Sequence, residues 1–347
     1  MKSILRGLAL SLSLLLSHTL PATAQAASFA KDPEVVEFAH SLAARHGFDA
    51  DALLTDFARI QPNQRVLQLI KPPATPLQRS WDRYRQRFLN ERRIEGGLRF
   101  WQENAAQLAR AQATYGVPEE IIVAIIGVET EYGRNMGGFG VLEALATLAF
   151  NYPPRAEFFR SELEQFLLLS RENQLAPLSI KGSYAGAIGI PQFMPGSQRR
   201  YAVDFDGDGR IDLRNSTLDA IGSVARFLEQ HGWQAGEAIA LPAQSDDLPE
   251  AGLIEAGLRP SLKAGDLSAK GIRSSAPANA NVALIDLPSV GATTEYWLGF
   301  ENFYVITRYN RSSFYAMSVF QLAQEIRSRR CDPATLTAAN RGKYCRA

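Results

Sequence analysis

Residues Val117–Arg134 read VPEEIIVAIIGVETEYGR, an unbroken apolar run that carries one carboxylate, Glu129, at its far end. Gly116 suits the close of a preceding helix, Pro118 the first turn of a new one, and Glu119 and Glu120 its positive end. Ile121 to Val128 is apolar on nearly every side, and a helix of that kind belongs inside a core. Glu129 is therefore expected to emerge from the interior rather than from a surface. Burial raises a carboxyl pKa, and the negative helix end before Gly133 pushes the same way. A carboxyl that keeps its proton is what general-acid chemistry requires. Glu131, two residues on, falls on roughly the opposite face. The alternative at this point is a helix-end glutamate tied up by an arginine such as Arg134.

Outward from this helix, the segment Ser183–Pro195, SYAGAIGIPQFMP, sets small residues beside Gln192 and an aromatic. Glycines allow close backbone approach to a ligand, and Ser183 and Gln192 are donors or acceptors of the kind that orient hydroxyl and amide groups. A glycine-rich turn with Phe193 and Met194 in the core is the competing reading. The next segment, Asp204–Asn215, reads DFDGDGRIDLRN and places Asp204, Asp206 and Asp208 at loop positions 1, 3 and 5, with Gly209 at 6. This is an EF-hand-like calcium pattern, since three carboxylates at alternate positions repel without a cation. Position 12 is Asn215 where a bidentate Glu is expected, and Asp219 is the candidate for the missing carboxylate. An Asp/Gly-rich turn that binds nothing is the alternative. Gly137-Gly138-Phe139-Gly140 has neither a preceding strand nor a GK[ST] sequence, so it meets no nucleotide fingerprint.

The remaining N-terminal half reads as helical: Pro33 to Arg45, Ala50 to Ala58, Gln64 to Ile70, then, beyond the proline-rich 71–76, patterns at Gln78 to Glu91 and Ile94 to Tyr115. His40 and His46 lack metal-ligand spacing. Tyr84 is a helical aromatic, open to a core or a sugar-stacking role. Helices are also expected over Val141 to Phe150, Arg155 to Ser170, Thr217 to His231 and Ser312 to Arg329. Ile239 to Pro242, Val282 to Leu287 and Tyr304 to Tyr309 have strand-like composition and suggest a small inserted β region.

With 347 residues, the chain suggests two or three domains. Its 37 Lys and Arg balance 36 Asp and Glu, so charge argues neither for nucleic acid nor for disorder. Lys2 and Arg6 precede an apolar run from Leu8 to Leu16 and A-x-A cleavage options at 22–26, the pattern of a secretory signal peptide. The run is short of the ~20 residues a transmembrane helix needs. No Cys lies near the cleavage region, so no lipid anchor is expected. Cys331 and Cys345 close a short tail loop if they pair, which an oxidising compartment favours.

GVETEYGRNMG (127–137), NYPPRAEFF (151–159), KGSYAGAIGIPQFMP (181–195), the acidic loop, AIGSVARFLEQHGW (220–233) and EYWLGFENFYVITRYNRSSFYAMSV (295–319) together resemble the lytic murein transglycosylase B family, of the glycoside hydrolase family 103 type. The resemblance spans most of the mature chain and is weakest over 244–280. It implies a mainly α fold, a lysozyme-like helical core with an additional α domain and a small inserted β domain. The corresponding division is a signal peptide at 1–26, an N-terminal α region at 27–115, the catalytic core at 116–235, the β-containing region at 236–300, a return to the core at 301–330 and a tail at 331–347.

The activity the resemblance implies is cleavage of the β-1,4 bond between N-acetylmuramic acid and N-acetylglucosamine in peptidoglycan, leaving 1,6-anhydro ends. Glu129 then serves as acid and base, assisted by the substrate's acetamido group. Ordinary glycosidases place two carboxylates ~5–9.5 Å apart, and no second candidate stands out. For substrate binding the resemblance implies sugar contacts from Ser183 and Gln192, Phe193 as a packing wall, and Arg155, Tyr84, Tyr309, Asn310 and Tyr315 as cleft residues, with Pro154 standing where the family often has a second arginine. It implies calcium held by Asp204, Asp206, Asp208 and the carbonyl of Arg210, with Asp219 supplementing them. No cofactor for the chemistry is expected. The expected partners are glycan strands and other cell-wall enzymes, and the expected location is the periplasm, without a stable membrane anchor. A hydrolytic muramidase and a non-enzymatic calcium-dependent wall-binding module are the alternatives.

Overall fold

The computed structural model describes residues 28–72, 79–245 and 247–330. The expected signal peptide and both Cys331 and Cys345, expected to pair, lie outside the described residues. The chain is mainly helical. After a 3-10 turn at Phe29–Lys31 come α1 (Pro33–His46), α2 (Ala50–Ala58), α3 (Gln64–Ile70), α4 (Trp81–Arg85), α5 (Glu91–Glu103), α6 (Ala105–Tyr115) and α7 (Glu119–Thr130). The two-residue strand β1 (Phe139–Gly140) leads into α8 (Val141–Asn151), and α9 (Ala156–Glu172) is followed by β2 (Lys181–Gly182), which pairs antiparallel with β1. Then follow α10 (Pro195–Tyr201) and α11 (Thr217–Gln230). Asp32, Asp49, Asn63, Asn90 and Ser216 cap their helices through side-chain oxygens, which satisfies first-turn N–H groups.

The region between α11 and the last helices folds as β3 (Ala240–Ser245), α12 (Ala251–Glu255), β4 (Leu262–Lys263), α13 (Ala264–Ala269), β5 (Ile272–Ser274), β6 (Asn281–Leu287) and β7 (Glu295–Gly299). Its strands form one antiparallel sheet in the order β4-β6-β7-β3-β5. The chain returns through α14 (Glu301–Thr307) and α15 (Ser313–Arg330).

Three expectations are corrected. Tyr304–Tyr309 is not a strand but the end of α14 and the turn after it, because Phe303, Val305 and Ile306 all face the core on a helical period. Ile94–Tyr115 is not continuous, because the Asn104 side chain donates to the Phe100 carbonyl at 2.8 Å and its backbone leaves helical geometry. Of the described residues 79–90 in the 78–91 pattern, Trp81–Arg85 is α-helical, and the residues after it turn before Asn90 caps α5, which begins at Glu91.

Helix α7 is the centre of the largest apolar cluster, and every residue from Ile121 to Val128 is buried. Helices α5, α6, α11 and α15 surround it. At about 1.5–3 kcal/mol per buried aliphatic side chain, this helix contributes more to the core than its propensity does. A second cluster joins α1–α3 to α8 and α9, and a third lies under the sheet. The apolar packing thus crosses the expected boundary at 115/116: α5 and α6 pack on α7, whereas α1–α3 pack on α8 and α9.

Candidate active site

Helix α7 delivers Glu129 into a partly open recess at its C-terminal end. The helix stops because Glu131 and Tyr132 both adopt the left-handed region, with φ of 52° and 63°, and the Tyr132 N–H returns to the Ile126 carbonyl. Left-handed geometry is costly for side chains of this size. It is held by two sets of contacts. The Thr130 hydroxyl donates to the Ile190 carbonyl at 2.7 Å, and the Tyr132 hydroxyl donates to the Arg93 carbonyl at 2.8 Å.

The Tyr132 ring lies on three glycines. A Cβ at Gly96, Gly97 or Gly127 would come within 2.7, 2.6 and 2.5 Å of it. Sequence reasoning missed this latch, although a Gly-Gly pair inside a helix, at about 1 kcal/mol each, signals a close approach.

Glu129 is not tied to arginine. Arg134 and Arg92 instead pair with Glu131. Among the described residues the single side-chain hydrogen-bond partner of Glu129 is Tyr315 on α15, whose hydroxyl donates to Oε1 at 2.6 Å. Burial raises the Glu129 pKa to about 7, opposed only by that hydrogen bond. Among the described residues no carboxylate and no cation contributes to the shift.

The recess is built of aromatics. Tyr315 stacks with Tyr309 at 6.4 Å, and the Tyr309 hydroxyl donates to the Pro191 carbonyl at 2.6 Å. The return of this segment onto the core is thus a turn anchored at its first tyrosine. Tyr84 packs between Trp81 and Phe314. Burial, followed by the Glu129 charge, raises its phenol pKa.

The other expected contacts divide. Gln192 sits at the recess with φ of 51°, its amide nitrogen donating to the carbonyls of Gly189 (2.9 Å) and Met136 (3.1 Å), so its oxygen is the end left for a ligand. Ser183 accepts the Ala187 N–H at 3.0 Å and keeps its hydroxyl proton to donate. Phe193, at 2% exposure, is a packing wall behind Tyr309, 5.7 Å between rings. Asn310 is exposed at the turn. Arg155 sets its guanidinium over Phe158 and Phe159 at the start of α9.

In the acidic loop, carboxylate oxygens of Asp204, Asp206 and Asp219 lie within 4.8 Å of one another. Asp208 lies outside this cluster, and its carboxylate accepts the Arg210 N–H at 2.8 Å. Asp219, at 1% exposure, comes from the first turn of α11 and accepts the N–H groups of Phe205 and Asp212 at 2.8 Å each. This set of hard oxygen donors fits a calcium ion. Leu213 accepts the Ile190 N–H at 2.8 Å, so the loop is joined through Ile190 to Thr130 and the end of α7.

Residues 30–324 match the family model described as the transglycosylase SLT domain. The chain is 44% identical over 310 residues to membrane-bound lytic murein transglycosylase B of Escherichia coli (strain K12), covering 86% of this chain and 84% of that one. Its structure is similar to that of soluble lytic transglycosylase SltB1 from Pseudomonas aeruginosa, with a TM-score of 0.80 and 48% identity over 86% of this chain and 99% of that one. It is also similar to the Escherichia coli lytic transglycosylase Slt35 in complex with calcium, with a TM-score of 0.80 and 42% identity over 88% of this chain and 96% of that one.

Proposed function

The chain belongs to the transglycosylase SLT domain family, and from that premise we propose that it is a lytic transglycosylase of peptidoglycan in which Glu129 alone serves as acid and base. The observation that carries this reading is the Glu129 carboxyl held by the Tyr315 hydroxyl with no carboxylate acting on it among the described residues, where burial raises its pKa to about 7. Near neutral pH a group of this kind both holds and releases a proton. Protonated Glu129 gives its proton to the glycosidic oxygen as the bond to the muramic C1 breaks. The Tyr315 hydroxyl then stabilises the carboxylate so formed. The carboxylate next removes the proton of the muramic C6 hydroxyl, whose oxygen bonds to C1 and closes the 1,6-anhydro ring. Glu129 is thereby reprotonated.

Ser183, Gln192, Tyr84, Tyr309 and Tyr315 position the sugars around this carboxyl, and Phe193 supports Tyr309 from behind. Asp204, Asp206 and Asp219 are proposed to hold a structural calcium ion, which would supply charge neutralisation to the loop and no part of the chemistry. Among the described residues no helix is long and apolar enough to cross a membrane. The proposed place of action is the periplasm, against the wall.

Mass spectrometry of peptidoglycan digests tests the chemistry. Products ending in 1,6-anhydro-muramic acid are expected, whereas reducing ends alone would mean hydrolysis by activated water. Glu129→Gln is expected to fold and to leave the wall intact. Undiminished lysis by that variant would remove Glu129 from the mechanism.

A further inference from the structure

A second cavity, of about 500 Å³, opens between α9, α10, α11 and the turn after α14, behind the aromatic wall of the active site. Its side chains are those of a recognition site rather than of a packing defect. Arg200 and Arg308 both line it, and neither forms an ion pair within 4.0 Å among the described residues, whereas their neighbour Arg199 is committed to Glu172 at 2.7 Å. Glu162 enters from α9 and accepts the Gly196 N–H at 2.8 Å; burial raises its pKa, against that hydrogen bond and Arg200. His231 donates from Nδ1–H to the Phe227 carbonyl at 2.6 Å, so the neutral ring presents Nε2 as an acceptor. Burial, together with Arg308 and Arg200, holds its pKa below the usual histidine value, opposed by the Phe227 contact.

The cavity therefore offers two guanidinium groups, Arg200 over the Tyr201 ring at 5.9 Å and Arg308 over the Tyr304 ring at 5.8 Å, neither paired with a carboxylate among the described residues, in one lining with two acceptors. A guanidinium is the side chain suited to planar oxyanions. A phosphate dianion would also meet the Glu162 carboxyl, whereas a monocarboxylate flanked by amide or amino N–H groups matches both halves of the lining. We propose that this pocket is a second binding site, for a carboxylate-bearing stem peptide of the wall. Arg200 and Arg308 receive the carboxylate, and Glu162 and His231 accept from the peptide's N–H groups. The choice of a wall peptide rests on the peptidoglycan reading above; the pocket itself does not. The site is joined to the catalytic recess through Phe227, whose ring faces Tyr309 at 4.8 Å and Phe193 at 5.5 Å, and through Arg308, which directly precedes Tyr309.

Isothermal titration of the full chain with a sugar-free stem peptide tests the proposal. Saturable binding is expected for the wild type and for Glu129→Gln. It should weaken about tenfold or more in Arg200→Gln, in Arg308→Gln and when the peptide's C-terminal carboxylate is amidated. Ser197→Trp, which fills the cavity, should abolish it. Lysis of glycan strands stripped of peptide should be the same in Arg200→Gln as in the wild type.

No saturable binding to the wild type would overturn the proposal, as would binding that survives both Arg308→Gln and Ser197→Trp, or inorganic phosphate binding as tightly as the peptide. Should Arg308→Gln unfold, Arg200→Gln carries the test, since that side chain is exposed. Peptide binding by a protein in which Glu129→Gln still lyses wall would overturn the catalytic assignment and leave this site standing.

Discussion

Glu129 and the carboxylates of the 204–219 loop are the same chemical group kept in opposite states. Glu129 has one side-chain donor, Tyr315, and burial brings its pKa to about 7. Asp204 accepts the N–H groups of Gly207, Asp208 and Gly209, and the Ser216 hydroxyl on Asp206 holds that carboxyl below the usual range. The first environment withholds donors and makes a proton carrier. The second crowds N–H and O–H groups around fixed charges and makes a cation cradle. Asp219 stands between the two, since burial raises its pKa while the N–H groups of Asp212 and Phe205 oppose. The number of donors, more than the residue type, decides what a carboxylate does here.

The largest way to break the comparison is Glu129→Gln. Lysis should fall by about 10²–10⁴-fold, measured by release of soluble wall fragments. The same change should stabilise the protein at alkaline pH. A carboxyl at about 7 when folded and 4.5 when unfolded binds more protons in the native state across that window, so stability falls as pH rises through it, by about 3 kcal/mol at most. Thermal melts of both proteins should therefore coincide below pH 4.5, separate as pH rises from there to about 7, and keep a constant offset above it.

At the other pole, calcium at a hundredfold excess over its dissociation constant should stabilise the wild type by about 2.7 kcal/mol, and Asp219→Asn should remove most of that gain. Equal melting temperatures in calcium and in chelator would show the loop to be no site. Chelation should also lower lysis, because Leu213, Ile190 and Thr130 connect the loop to the end of α7.

Tyr315→Phe makes Glu129 still more solitary. Its carboxyl pKa should rise further, moving the alkaline limb of the pH–rate profile upward, and the rate should drop about tenfold through loss of a charge-assisted hydrogen bond. The smallest effect is expected for Tyr132→Phe, about 1 kcal/mol in denaturant unfolding, for the bond to the Arg93 carbonyl.

What could be read from the sequence follows the same contrast. A run apolar on all sides marks α7 and its terminal carboxylate, and alternating Asp with Gly marks the loop, because both signals are local. Relations between distant segments were legible only in part. Tyr315 was named through family resemblance, but its bond to Glu129 spans 186 positions. The Tyr132 latch depends on glycines in α5 and α7 meeting one ring, and no periodicity encodes that. Tyr304–Tyr309 misled because aromatic and β-branched residues suit strands and buried helices alike.

The account turns on the protonation state of one residue, so the most direct test is a carboxyl-carbon NMR titration of Glu129, assigned by comparison with Glu129→Gln. A midpoint near 7 is predicted. A midpoint near 4.5, the ordinary value for a glutamate, would contradict it.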